Sequence, residues 1–239
     1  MIADPTNISP IPGFGEPFSA LSHLLPAAAF LTLAPRLIRR GRGSAWRVTC
    51  LSIFAFAIVF QLAMSGLSHQ LEQGSVGARV LLILDHAAIF FLIAATFTPI
   101  HGILFTGFLR SGALIILWAA AISGIVLKSI FFAHTPIWLS ASLYLGLGWM
   151  GVISGFTLWR RYGFHSMALL LYGGLAYTLG LGFEIIAAKA SNFQLVPGYV
   201  GGHEIFHLSV LAGMALHWKF ISGFADGTLP HSRPAAATS

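Results

Sequence analysis

Val80-Leu81-Leu82-Ile83-Leu84-Asp85-His86-Ala87-Ala88-Ile89-Phe90-Phe91-Leu92-Ile93-Ala94-Ala95-Thr96-Phe97 is an apolar run in which only Asp85 and His86 can ionise. A helix that crosses the hydrocarbon core of a bilayer needs about 20 mostly apolar residues, and this run with its flanks supplies them. The rest of the chain agrees. Of its 239 residues, 56% are hydrophobic and 8% charged, against roughly 25% charged in a soluble domain, and the mean hydropathy is +0.83. The sequence therefore predicts an all-α integral membrane protein, a seven-transmembrane helix bundle with spans at 17–38, 45–69, 77–99, 111–131, 136–159, 165–189 and 200–222.

Residues 1–16 read as a short polar lead-in without the basic start and apolar core of a signal peptide. Residues 17–224 read as the membrane domain and 225–239 as a flexible tail. Pro26 and Pro35 predict a kink or an early end in the first span, and Ile100 to Arg110 reads as an apolar loop at the interface. The net charge of +6 does not indicate nucleic acid, because the basic residues lie between apolar segments and form no single face. With the N-terminus outside, Arg36, Arg39, Arg40, Arg42, Arg47, Arg110, Arg160, Arg161, Lys219 and Arg233 fall on the cytoplasmic side. Only Arg79, Lys128 and Lys189 fall opposite, so the ten-to-three split favours N-out and C-in.

Ionisable groups inside a span are costly, about 2.5–3.5 kcal/mol each on insertion scales, and are functional candidates by default. Three regions carry them. The second span ends Ser65-Gly66-Leu67-Ser68-His69, the third holds Asp85, and the seventh opens with His203-Glu204-Ile205-Phe206-His207. Histidines four apart share one helix face. With seven alternating spans, the end of the second and the starts of the third and seventh lie toward one membrane face. His69, His203 and His207 can then converge with Asp85 nearby. Cys50 is the sole cysteine, so a metal here is held by imidazole and carboxylate.

Three neutral imidazoles with a fourth place for water is the donor set of a catalytic zinc. Such an ion brings its water toward neutrality and polarises a carbonyl. Asp85 would serve as acceptor or general base for that water, and Ser65, one turn before His69, would bond Asp85 or the water. Each residue has a plainer reading. Histidines near helix ends, as at positions 23, 86, 101, 134, 165, 217 and 231, are ordinarily interfacial. Asp85 can instead pair with Arg79 or His86, Glu184 can reach the interface near Lys189, and Glu204 points about 100° from His203.

The chain resembles the progestin and adipoQ receptor superfamily, which includes the adiponectin receptors and the bacterial hemolysin III-like proteins. Ser65-x-x-x-His69-x-x-x-x-x-Ser75 matches that family's S-x(3)-H-x(5)-S pattern, and His203-x-x-x-His207 its closing H-x(3)-H. Leu84 to Ile89 followed by Thr96-Phe97-Thr98-Pro99, Gly124 to Lys128, and Leu143 to Trp149 resemble helices three, four and five of the bacterial branch. Glu16 through Ser19 to His23 is similar to the first motif, with Ser19 where Asn is frequent.

The resemblance implies one zinc ion per chain on His69, His203 and His207, with Asp85 holding its water. Through the related alkaline ceramidases it also implies hydrolysis of a lipid amide, by zinc-bound hydroxide attacking the carbonyl. The implied partners are membrane lipids, a lipid amide or free fatty acid in an intramembrane cavity, and the implied location is a bacterial inner membrane. The alternatives are a receptor with a structural zinc and no turnover, and a hemolysin III-like membrane-active protein. A pore is disfavoured because no span carries a continuous polar stripe. In the adiponectin receptors the N-terminus and the zinc are cytoplasmic, which is the reverse of what the charge split predicts here.

Overall fold

The computed structural model describes residues 16–71, 74–189, 194–196 and 200–228. Eight helices make seven crossings: α1 (Pro17–Arg40), α2 (Ala45–Gln70), α3 (Val76–Leu104), α4 (Gly107–Ile130), α5 (Ile137–Trp149), α6 (Gly151–Tyr162), α7 (Phe164–Lys189) and α8 (Gly202–Ser222). The fifth crossing is α5 and α6 end to end, broken at Met150. A short antiparallel ladder, β1 (Gln194–Val196) with β2 (Val200–Gly201), leads into α8.

Consecutive helices from α1 to α4 pack side by side, as do α7 and α8, and α1 meets α8 to bring the two ends of the chain together. The core between them holds Leu51, Phe54, Ile58, Leu62, Met214 and Ile221. Leu25, Leu31, Phe56, Ile115 and Ile153 face outward, each at least 60% exposed. That apolar exterior suits lipid as its solvent.

Two expectations are corrected at prolines. The first span does not end early: α1 continues through Pro26 and Pro35 to Arg40. The predicted interfacial loop from Ile100 is absent as well, because α3 continues through Pro99 to Leu104. A proline removes one helical bond, and neighbouring helices supply others: Trp46 Nε1 donates to the Gly102 carbonyl at 2.9 Å and His101 Nδ1 to the Leu109 carbonyl. Ser154 adds a 2.9 Å bond to His101 Nε2. Past α8, Phe224 and Ala225 are buried and Asp226 meets Arg40 at 3.2 Å. The Thr228 backbone N–H and then Arg40 hold the Asp226 carboxyl down at about 2, so it stays charged above that pH. The lead-in before Glu16 and the tail beyond Thr228 lie outside the described residues.

Lipid tails are as apolar as leucine, so burying apolar surface gives little drive for one helix to prefer another. Close packing and interhelical hydrogen bonds take over. Gly124 of α4 illustrates the first: a Cβ there would come 2.4 Å from the Phe90 ring, which is itself buried on α3. Gly148 has open space instead, with nothing within 4 Å. Gly124→Ala is therefore expected to cost about 1–3 kcal/mol and lower the unfolding temperature in detergent. Gly148→Ala leaves it unchanged in the same thermal assay.

Candidate metal centre

The three histidines are placed by the ends of two helices. His69 sits in the last turn of α2, and His203 and His207 occupy the first turns of α8. Their ligand atoms all lie within 4.8 Å of one another, the only such group among the described residues. His69 Nε2 and His203 Nε2 are 3.3 Å apart. Two Zn–N bonds of 2.0–2.1 Å at the tetrahedral angle put their nitrogens about 3.4 Å apart.

Each of these two rings is held from behind by a carboxylate. His69 Nδ1 meets Glu16 Oε2 at 2.5 Å, and His203 Nδ1 meets Glu184 Oε2 at 2.8 Å. A neutral imidazole that donates from Nδ1 carries its lone pair on Nε2. The two carboxylates thus assign a tautomer in which both Nε2 lone pairs converge. Lone pairs 3.3 Å apart repel unless a cation or a proton lies between them. Carboxylate-backed imidazole is also the usual arrangement behind a metal-bound histidine, so the donor set fits a divalent cation.

His207 is held differently. It is buried, its Nδ1 has no hydrogen-bond partner among the described residues, and its ring stacks on His23 with centroids 4.1 Å apart and planes 20° from parallel. His23 is buried too, so its expected interfacial position is corrected; the same correction applies to His101 and His217. His134 and His165 are exposed at helix ends.

Asp85 stands beside the trio and is not part of it. Gln61 Nε2 donates to Asp85 Oδ1 at 2.8 Å, and Ser65 interacts with the same carboxylate. The alternative pairing with Arg79 or His86 is not formed; the His86 ring bonds the Leu82 carbonyl instead. Glu184 does not run to the interface near Lys189 but serves His203. Glu204 is not one of the three converging ligands; it accepts the Gly201 N–H at 2.8 Å and the Ser19 hydroxyl at 2.9 Å. Ser75, the last residue of the S-x(3)-H-x(5)-S pattern, caps α3 through the Ala78 N–H.

Glu16, Gln61 and Glu184 were not predicted as site residues. Gln61, Ser65 and His69 recur every four residues on an otherwise apolar helix, a polar line that marks one face. Glu184 carries no such signal, because its partner is 19 residues away. A cavity of about 250 Å³ opens over the rings, lined by Glu16, His69, Glu184, Ala187, Ala188, His203 and Glu204. Gly202 lets α8 begin there: a Cβ would stand 2.7 Å from that of Ala187 on α7.

The sequence profile of the haemolysin-III-related family matches residues 14–218, which include every residue of this centre. The chain is similar to the hemolysin-3 homolog of Bacillus subtilis (strain 168), 33% identical over 191 residues that cover 80% of this chain and 82% of that protein. It is 31% identical to hemolysin-3 of Bacillus cereus over 202 residues, 83% of this chain and 86% of the other. The heptahelical transmembrane protein ADIPOR2 of Oryza sativa subsp. japonica is 28% identical over 180 residues, 70% and 77% of the two chains.

The geometry predicts uptake of one divalent metal ion per purified chain by elemental analysis, and near-complete loss in His203→Ala. Glu184→Gln should weaken metal affinity about 10–100-fold, the usual cost of losing a carboxylate behind a ligand. A wild-type chain that takes up no divalent metal would overturn the assignment.

Proposed function

The chain belongs to the haemolysin-III-related family, and we propose that it is a zinc-dependent intramembrane hydrolase of a lipid amide. The observation that carries this reading is the pair of Nε2 atoms 3.3 Å apart, each ring locked from behind by a carboxylate. His69, His203 and His207 would hold the ion. When bound, zinc lowers the pKa of a water and polarises a carbonyl.

The remaining roles belong to the chain. Asp85 takes a proton from the attacking water as its oxygen adds to the amide carbon. The C–N bond then breaks, and Asp85 returns that proton to the leaving nitrogen, so a fatty acid and an amine result. Gln61 Nε2 donates to Oδ1 of Asp85 and so fixes the orientation of the carboxylate. Ser65, buried one turn before His69, steadies the same carboxylate. Burial of these groups shields the proton transfers from bulk water. A receptor with a purely structural ion would make equal use of the locked imidazoles, but it would leave Asp85, Gln61 and Ser65 without a task.

Asp85→Asn is expected to keep most of the zinc and to lose about 10²–10⁴ in release of fatty acid from a ceramide-like substrate, the range of general acid–base contributions. Equal loss of zinc and turnover would make Asp85 structural. Zinc binding with no turnover of any lipid amide would favour the receptor.

The proposed orientation is N-out, which opens the centre to the outer face. Its basis is the arginine-rich turn between α1 and α2, at the opposite end of the bundle from the histidines. Cys50 is fully buried and gives a silent background. A cysteine placed at Gly43 should therefore resist an impermeant thiol reagent applied to intact cells, and labelling there would reverse the assignment.

A further inference from the structure

One ammonium group lies buried without an anion. Lys128 is 7% exposed, near the end of α4. Because the spans alternate, that end shares a membrane face with the histidines. Its Nζ donates to Ser140 Oγ at 2.9 Å and lies 4.7 Å from the centre of the Phe132 ring. No carboxylate among the described residues comes within 4 Å of it.

An ammonium has three donors, and Ser140 takes one. The Phe132 ring and the carbonyl end of α4 both attract a cation, yet neither occupies the remaining N–H groups. A buried charge is ordinarily paired, and an ionisable group at membrane depth marks a ligand or an ion path. The environment selects the ligand. Ile130, Phe131 and Trp138 around this end are exposed and apolar, 66%, 51% and 61% respectively, and Trp138 stands at a helix start where membrane proteins place tryptophan at the water boundary. A small hydrated anion would lose water to reach such a place and gain nothing from those side chains. A lipid would lay its acyl chains on them and bring its oxyanion to Nζ.

We propose that Lys128 and Ser140 bind the oxyanion of a membrane lipid headgroup, a carboxylate or a phosphate, on the membrane face that holds the histidine centre. The site shares no residue with that centre and does not depend on the hydrolase reading. Phe132 takes Lys128 on its face and meets the His86 ring edge-on at 5.1 Å.

The test uses the full-length chain in phosphatidylcholine nanodiscs, with bound lipid counted by native mass spectrometry. Oleate and phosphatidic acid are titrated in separate arms, with inorganic phosphate as the soluble arm. At least one anionic lipid should be retained tenfold or more over phosphatidylcholine. Oleate retention assigns a carboxylate ligand, and phosphatidic acid retention a phosphate. Lys128→Gln should abolish the preference, Lys128→Arg should preserve it, and Ser140→Ala should weaken it severalfold while leaving the charge in place. The preference should persist in His207→Ala and after zinc chelation. Equal lipid retention by wild type and Lys128→Gln would overturn the proposal. So would loss of the preference on chelation, which would move the lipid to the histidines, or binding of inorganic phosphate with both lipid arms silent. If Lys128→Gln fails to fold, the comparison of Ser140→Ala with wild type decides in the same way.

Discussion

The back-side hydrogen bonds to His69 and His203 set the terms for the rest of the molecule. Glu16 and Glu184 each fix the tautomer of one ring, and in doing so aim two lone pairs at one point. To achieve this, the start of α1 must reach the end of α2, and the end of α7 must reach the start of α8. The backbone reinforces the first junction, where the Glu16 N–H donates to the His69 carbonyl at 2.9 Å. Gly202 permits the second by bringing α8 against Ala187. Helices from opposite ends of the chain thus close on a contact between four side chains.

Charge balance explains why carboxylates occupy those positions in a membrane. A divalent cation on three neutral imidazoles carries two positive charges, and Glu16 and Glu184 bring two negative ones. With such an ion bound the assembly would be close to neutral, and the desolvation cost of each buried charge would be largely offset by its partners. Glu204 meets the same requirement in another way: it is buried, and it spends its oxygens on the Ser19 hydroxyl and on a backbone N–H at the start of α8. That helix end is the positive pole of its dipole. Lys128 stands outside this balance: Ser140 accepts from its Nζ, and no carboxylate among the described residues lies within 4 Å.

How much of this was legible follows from what sequence patterns encode. Span number was plain, because apolar length is read directly from the residues. Spacing and alternation put His69, His203 and His207 on one membrane face, and the resemblance singled them out as a ligand set. Helix ends near Pro99 were misread, since a proline's tolerance depends on neighbours such as Trp46 and Leu109 that only the fold supplies. His23 looked interfacial because stacking on a residue 184 positions away has no local signature. Glu184 was read as a surface charge for the same reason. Patterns within one helix were visible, and partners between helices were not.

His207 is the odd member of the trio, and the difference bears on what the centre can do. His69 and His203 are each gripped by an anion that raises the basicity of the donor nitrogen. His207 has no such anion: stacking against His23 fixes its ring plane but adds no negative charge. The electron donation around a bound cation is therefore uneven, strong on the side of Glu16 and Glu184 and weaker on the side of His207. A closed structural site gains from four equal, strong ligands. In the proposed hydrolase, two anchored donors and one weaker donor would leave a bound cation electron-poor on the side of His207. That asymmetry between His207 and the two carboxylate-backed rings is the feature that favours the hydrolase over a closed structural site.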